Sequence, residues 1–262
     1  MTVLVTGATD GLGRALAERL AGGRGGVIVH GRDPERVDRA VAEIRAATGN
    51  DQVHPALADL SELAQVRALA ESVRDLDVDV LINNAGIGVT VPGGGRRQVS
   101  VDGYELRFAV NYLAGYLLTR LLLPSLKAAP AARIVHVSSA GQAPIDFDDV
   151  MLERDYNGVQ AYCQSKLAQI MFTFDLADEL VGTAVTATAL HPATYMPTKI
   201  VPNPISTIEE GVEATFRLAA APDLASISGQ YYDGQRPARA HQQAYDQDAR
   251  KRLRELSERL TS

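Results

Sequence analysis

Along this chain the spacing of apolar residues keeps switching between short strand-like runs and helical repeats, and that alternation constrains the fold more than any other feature. Val3 to Val5 is a short apolar run that ends in a glycine-rich turn; Leu12, Ala15, Leu16 and Leu20 then recur at helical spacing. Val27 to His30 predicts a second strand, and Asp33-Pro34 opens a second helix, with Asp as N-cap and Pro in its first turn. Further strands are expected near 53–56, 78–82, 133–137, 185–190 and 229–232, and further helices near 61–73, 101–126, 160–180 and 208–219. Strands and helices in alternation with short connections imply a parallel sheet covered on both faces. The expectation is an α/β fold, a single doubly wound Rossmann-type domain over residues 1–262 with about seven strands. Two stretches near 90–100 and 140–158 have no clear period, and long irregular loops in such folds usually carry function.

Composition removes several classes of function. A formal charge of −6 gives no basic field for nucleic acid. Cys163 stands alone, so no disulfide framework can form within the chain. Runs such as Leu121 to Leu123 fall far short of the roughly 20 apolar residues needed to span a bilayer. Met1 to Val5 runs directly into a strand with no leader-like pattern, which predicts a cytoplasmic protein. Only four lysines stand among the 26 basic residues, so a lysine inside a motif is conspicuous.

Two local patterns carry chemistry. In Thr6-Gly7-Ala8-Thr9-Asp10-Gly11-Leu12-Gly13 the glycines allow a tight turn and a close approach of backbone N–H groups to a pyrophosphate at the positive end of the next helix. Tyr162 and Lys166 are four residues apart and share one helix face. Bringing a tyrosine from about 10 to about 7 requires about 4 kcal/mol, and a neighbouring ammonium acts in that direction. Read alone, the pair is a core tyrosine beside a solvated lysine sooner than a reactive pair.

The glycine spacing resembles the T-G-x-x-x-G-x-G turn of the short-chain dehydrogenase/reductase family, and four further motifs follow in the family's order. Asn83-Asn84-Ala85-Gly86 is similar to its N-N-A-G, and Val110-Asn111 to its helix asparagine. Ser138-Ser139 is similar to its serine strand, and Tyr162-Cys163-Gln164-Ser165-Lys166 to its Y-x-x-x-K. The resemblance implies Tyr162 as general acid/base, Lys166 as its partner and ribose ligand, Ser139 on the substrate oxygen, and Asn111 on a proton-relay water. It also implies cofactor contacts from Thr6, Gly7, Thr9, Asp10, Gly11, Leu12, Gly13, Arg32, Asp59, Leu60, Asn83, Ala85, Gly86, Tyr162, Lys166, Pro192 and Thr194. The 23-residue interval from Ser139 to Tyr162 resembles the retinol-dehydrogenase-like branch, which implies apolar alcohols or carbonyls; Gly141 and Ala193 depart from that branch.

NADP(H) is expected over NAD(H), because Gly31 offers no carboxylate at the end of the second strand and Arg32 follows it; Asp10 weighs the other way. The implied activity is hydride transfer between NADP(H) and a small-molecule carbonyl or secondary alcohol, with ketone reduction favoured. An NAD-dependent alcohol dehydrogenase and a catalytically silent NADP-binding regulator are the alternatives. No metal is expected. A homodimer or homotetramer is expected through the stripes Leu113, Leu117, Leu121 and Ile170, Phe174, Leu176, with burial in the domain's own core as the competing reading. Tyr195, Met196, Ile200 and Val201 suggest an apolar substrate loop, Arg96-Arg97 a solvated loop tip, His191 a structural histidine, and Cys163 a small buried apolar residue.

Overall fold

The computed structural model of the protein describes residues 1–89, 96–197 and 203–262. Strands β1 (Thr2–Val5), β2 (Gly26–Gly31), β3 (Val53–Leu57), β4 (Val78–Asn83), β5 (Ala132–Val137), β6 (Val185–His191), β7 (Gln230–Asp233) and β8 (Arg236–Ala238) form one sheet. Its order is β3-β2-β1-β4-β5-β6-β7-β8. Every pairing is parallel except that of β7 with β8. The sheet therefore has eight strands where about seven were expected, and the addition is a three-residue hairpin partner at one edge. Strand order reverses between β1 and β4, which opens a crevice at the carboxyl ends of the central strands.

Alternate residues of the buried strands feed two cores. Leu4, Ile28, Leu81 and Ile134 pack with α3 (Leu63–Ser72), α4 (Ala114–Ala128) and α5 (Gly158–Glu179) through Val66, Leu118 and Ile170. Val3, Val29, Val80 and Val135 pack on the other face with α1 (Gly11–Ala21), α2 (Pro34–Thr48) and α6 (Ile208–Ala220) through Leu16, Ile44 and Leu218. Asp33 caps α2, its carboxylate accepting from the Arg36 N–H at 3.1 Å, and Gly49 ends that helix at φ 65°.

Three expectations are corrected. The helix expected from residue 101 begins later: Val99 and Glu105 form an isolated bridge, and a π-helical segment, Phe108–Leu113, runs on into α4. A helix not anticipated, α7 (Gln247–Thr261), packs on α5, with Arg254 Nη1 2.8 Å from both oxygens of Asp175. Its buried positions are Ala249, Leu253, Ser257 and Thr261, and Leu256 and Leu260 pack beside them, so Leu253, Leu256 and Leu260 form an apolar stripe at helical spacing. The two stripes expected to join copies of the chain are internal instead. Leu113, Leu117, Ile170, Phe174 and Leu176 are buried in the first core, and only Leu121 reaches the surface, at 37 % exposure.

Candidate active site

The candidate catalytic residues sit where β5, the π-helical segment and α5 converge beyond the carboxyl edge of the sheet. Asn157 caps α5, its side chain accepting from the Val159 and Gln160 N–H groups at 2.8 and 3.1 Å, and so fixes the start of the helix that carries Tyr162 and Lys166. The two serines after β5 face different ways. Ser138 donates to the Lys166 carbonyl at 2.7 Å and is tied to the helix backbone. The Ser139 hydroxyl accepts from the Gly141 N–H at 3.0 Å and bonds to the Tyr162 hydroxyl.

Asn111 lies in the π-helical segment and grips Ile87 by both its backbone groups, accepting from the N–H at 2.8 Å and donating to the carbonyl at 3.1 Å. It also donates to the Ser165 hydroxyl at 3.0 Å, which joins the segment to α5. A Cβ at Gly86 would lie 3.3 Å from Asn111 Oδ1 and 3.5 Å from Lys166 Nζ, so both side chains border the same exposed glycine.

Burial dominates the electrostatics. Lys166 Nζ donates to the Val137 carbonyl at 2.9 Å and to Gln169 Oε1 at 3.1 Å, and desolvation lowers its pKa to about 7. The Tyr162 phenol is pushed up by burial, against which the Ser139 hydrogen bond pulls. The expected lowering of Tyr162 by its lysine is absent from this state. The ammonium stands 5.8 Å from the ring centroid and is itself driven toward neutrality.

The glycine turn and the Asn83–Gly86 segment interlock. Thr6 Oγ1 accepts from the Asn84 and Ala85 N–H groups at 2.9 and 3.0 Å, while Asn84 Nδ2 donates back to the Thr6 carbonyl at 2.8 Å. Gly7 has φ 66°, and a Cβ there would lie 2.9 Å from Ala85 Cα. A Cβ at Gly13 would overlap the Gly7 carbonyl oxygen and lie 2.5 Å from Asn84 Nδ2. His30 supports the turn from below: Gly7 N–H donates to its Nδ1 at 3.1 Å, and Nε2 meets the Ala58 carbonyl at 3.1 Å. Burial lowers its pKa to about 4, so this imidazole is neutral at physiological pH.

The remaining cofactor candidates divide. Asp59 Oδ1 accepts from the Ser61 N–H at 2.8 Å, and Leu60 is buried beside it. Asn83 turns its side chain into the core, donating to Thr119 Oγ1 at 3.0 Å, so only its backbone is available at the crevice. Arg32 is exposed. Asp10 caps α1 by accepting from the Gly11 N–H at 2.8 Å, and its other oxygen lies 3.1 Å from Arg36 Nη2. A Cβ at Gly31 would lie 2.5 Å from Thr9 Cγ2 and 2.8 Å from Val37 Cγ2, so any side chain at this strand end would require Thr9 and Val37 to shift. Thr194 bonds His191 Nε2 at 3.0 Å, next to the buried turn at Pro192. The glycine cradle at a helix N-terminus fits the pyrophosphate of a dinucleotide, and the Tyr162–Lys166 pair and Arg32 are polar groups that could hold other parts of one.

Some polar residues went unnoticed in the sequence. Arg107 is fully buried and donates to the Gly88 carbonyl (3.0 Å), the Val89 carbonyl (2.8 Å) and the Tyr156 hydroxyl (2.6 Å). Tyr156 donates to Glu105 Oε1 at 3.1 Å, and Glu105 Oε2 accepts from the Phe108 N–H at 2.7 Å. The visible signal was a Glu-x-Arg pair on the way into an apolar helix. Arg97, expected at a solvated tip, donates to the Met151 carbonyl at 2.8 Å; Arg96 is exposed. Cys163 is half-buried, its thiol pushed up by burial, and a Cβ at Gly141 would lie 3.4 Å from its sulfur. Tyr195 is 60 % exposed, whereas Met196 packs toward Gly211; Ile200 and Val201 lie outside the described residues. No group of His, Cys, Asp and Glu among the described residues could hold a metal ion. No described helix is long and apolar enough to cross a membrane.

The profile of the family described as short chain dehydrogenase matches residues 1–206. Human retinol dehydrogenase 13 is 37 % identical, the alignment covering 99 % of this chain and 84 % of the relative. The crystal structure of an uncharacterised protein from Mycobacterium paratuberculosis is 31 % identical, covers 99 % of this chain and 92 % of its own, and superposes with a TM-score of 0.81. The structure of 3-ketoacyl-(acyl-carrier-protein) reductase from Brucella melitensis complexed with NADH is 27 % identical, covers 88 % and 95 % of the two chains, and gives a TM-score of 0.70.

Proposed function

The chain belongs to the short-chain dehydrogenase family, in its retinol-dehydrogenase-like branch, and on that premise we propose that it is an NADP(H)-dependent reductase of apolar ketones. Carbonyl–alcohol oxidoreduction with a nicotinamide cofactor is the activity of this family, and the converging Asn111, Ser139, Tyr162 and Lys166 carry the reading. A silent cofactor binder has no use for the acid/base pair. Bound cofactor supplies the hydride. Thr6, Gly7, Thr9, Gly11, Leu12 and Gly13 would hold its pyrophosphate, Asp59 and Leu60 its adenine, and Tyr162 and Lys166 its ribose hydroxyls. Asn83, Ala85, Gly86, Pro192 and Thr194 would line its remaining length.

In the reductive direction Tyr162 gives its phenolic proton to the carbonyl oxygen. Ser139, held from behind by the Gly141 N–H, directs its own hydrogen toward Tyr162 or that oxygen. The Lys166 ammonium stabilises the phenolate that results. Asn111 holds the Ile87 wall in register with α5.

NADP(H) is favoured by Arg32 and by Arg36. The Arg36 contact to Asp10 offsets the one acidic group that would repel a 2′-phosphate. Asp10 is also the feature that supports the second reading, NAD-dependent alcohol oxidation. A cytoplasmic location belongs to the same reading. So does a dimer or tetramer, which would have to use surfaces other than the buried stripes.

The test is Tyr162→Phe in a carbonyl screen with NADPH. The variant is expected to bind NADPH with wild-type affinity and to lose at least about 100-fold in kcat, because the ring remains and the proton donor goes. Wild-type protein that binds NADPH and turns over no carbonyl or alcohol points to the silent regulator; a Tyr162→Phe variant with near-wild-type kcat refutes the acid/base assignment.

A further inference from the structure

The loop after Ser139 is held in place by the C-terminal end of the chain, beyond residues 1–206 of the family match. Gln142 makes the central contact. Its Nε2 donates to the Ser139 carbonyl at 3.1 Å, and its Oε1 accepts from the His241 N–H at 2.7 Å. The same Ser139 carbonyl accepts from the Tyr231 hydroxyl at 3.1 Å, so the backbone of the serine is fixed from two sides. Three residues along, Gln243 reads both backbone groups of Ile145, accepting from its N–H at 2.7 Å and donating to its carbonyl at 3.1 Å. Gln243 is itself seated by its own N–H, which donates to His241 Nδ1 at 3.2 Å.

Between these anchors lies Gly141, whose N–H donates to Ser139 Oγ at 3.0 Å. That bond decides where the serine hydrogen points: with the amide occupying one lone pair, the hydroxyl donates away from the loop, toward Tyr162. The amide of a glycine flanked by no other restraint rotates easily. Its neighbour Gln142 supplies the restraint.

We propose that Gln142 is a positioning residue for the Ser139 hydroxyl, coupling the placement of the C-terminal segment around residues 238–245 to the geometry of the acid/base pair. This rests on the reductase reading for its kinetic consequence, though not for its structural one. The test compares wild type, Gln142→Leu, Gln142→Glu, Ser139→Ala and the double variant Ser139→Ala/Gln142→Leu. Steady-state kinetics are measured on a ketone the wild type reduces, and peptide-level hydrogen exchange is followed over residues 139–145. Leucine removes both hydrogen bonds at similar volume; glutamate keeps the acceptor for His241 and removes the donor to Ser139.

Both single Gln142 variants are expected to lower kcat about tenfold while leaving KM for NADPH within about twofold, and Gln142→Leu is expected to change kcat by less than about twofold once Ser139 is alanine. Equal losses in the two backgrounds, or a kcat within twofold of wild type, overturn the proposal, since a residue that matters only for folding has no reason to depend on Ser139. Should Gln142→Leu fail to fold, Gln142→Glu against Ser139→Ala/Gln142→Glu carries the same comparison. If the wild type reduces nothing, the reductase reading fails separately, and exchange decides the inference: faster exchange across 139–145 in Gln142→Leu supports it, and unchanged exchange overturns it.

Discussion

Replacing Arg107 by methionine removes one of the most heavily bonded side chains in the protein while keeping an unbranched apolar stem. The guanidinium makes three hydrogen bonds, to Gly88, Val89 and Tyr156, and stands 3.7 Å from a carboxylate oxygen of Glu105, both side chains being 0 % exposed. Removing one partner of a buried ion pair costs about 3–5 kcal/mol, because the other charge stays behind without compensation. Two backbone carbonyls also lose a donor; these losses overlap with the first and are not simply additive. Against a total stability of about 5–15 kcal/mol the loss is large, and in a domain of this size it lowers Tm by roughly 6–20 °C. The chain has no tryptophan, so urea unfolding is followed by far-ultraviolet circular dichroism. Arg107→Met/Glu105→Gln separates charge from packing: neutralising the stranded carboxylate is expected to restore about 2 kcal/mol. A single variant within about 1 kcal/mol of wild type refutes the reasoning, and so does a double variant less stable than the single one.

Further expectations concern the cofactor and pH. Arg32→Ala is expected to raise KM for NADPH about tenfold and leave KM for NADH nearly unchanged, with Arg36→Ala acting in the same direction; equal effects on both cofactors, measured by initial rates, rule out the phosphate role. For pH, Tyr162 is held above its ordinary value and stays a proton donor across the neutral range, so Lys166 sets the profile. Its pKa near 7 means that the ammonium is present below that pH and is lost above it. The kcat/KM for ketone reduction is therefore expected to fall about tenfold per pH unit above about 7 in wild type, and to lose that limb in Lys166→Met. The same shift also acts on folding. Between about 7 and its ordinary 10.5, Lys166 binds more protons unfolded than folded, so stability from this group rises with pH across that window. Urea midpoints for wild type and Lys166→Met check the sign.

What the sequence made legible was whatever is local. The turn from Thr6 to Gly13 and the Tyr162–Lys166 pair are contiguous patterns, and the strand–helix alternation needs no knowledge of contacts. Asp33 could be read as a cap because capping is settled within four residues. The parts that stayed hidden depend on partners far along the chain. Arg107 bonds Gly88 and Tyr156, 19 and 49 residues away, and nothing near it in sequence announces either. The stripes on α4 and α5 were visible as apolar faces, but periodicity cannot say what covers a face, and here the domain's own core does. Helix α7 differs: Leu253, Leu256 and Leu260 already stand at helical spacing in the sequence, whereas its attachment by Arg254 to Asp175 is invisible to a hydrophobic pattern. The expected depression of Tyr162 failed for a related reason, since the depth at which a lysine is buried is a property of the whole fold.

The π-helical segment Phe108–Leu113 divides one continuous element into two halves that are out of phase. A wider turn holds about one extra residue, and one residue is about 100° of helical rotation. Arg107 on the near side and Leu117 and Leu118 on the far side thus face directions that a regular helix of the same composition could not offer together. Asn111 sits at the joint, where its amide spans from Ile87 to Ser165. The information that builds this corner of the site is therefore partly a matter of counting: one residue fewer between Arg107 and Leu117 would leave a regular helix joining the same two halves, with no widened turn for Asn111 to occupy. Two chains aligned without a gap through this helix share more than matching letters, because they share the phase in which those letters are read.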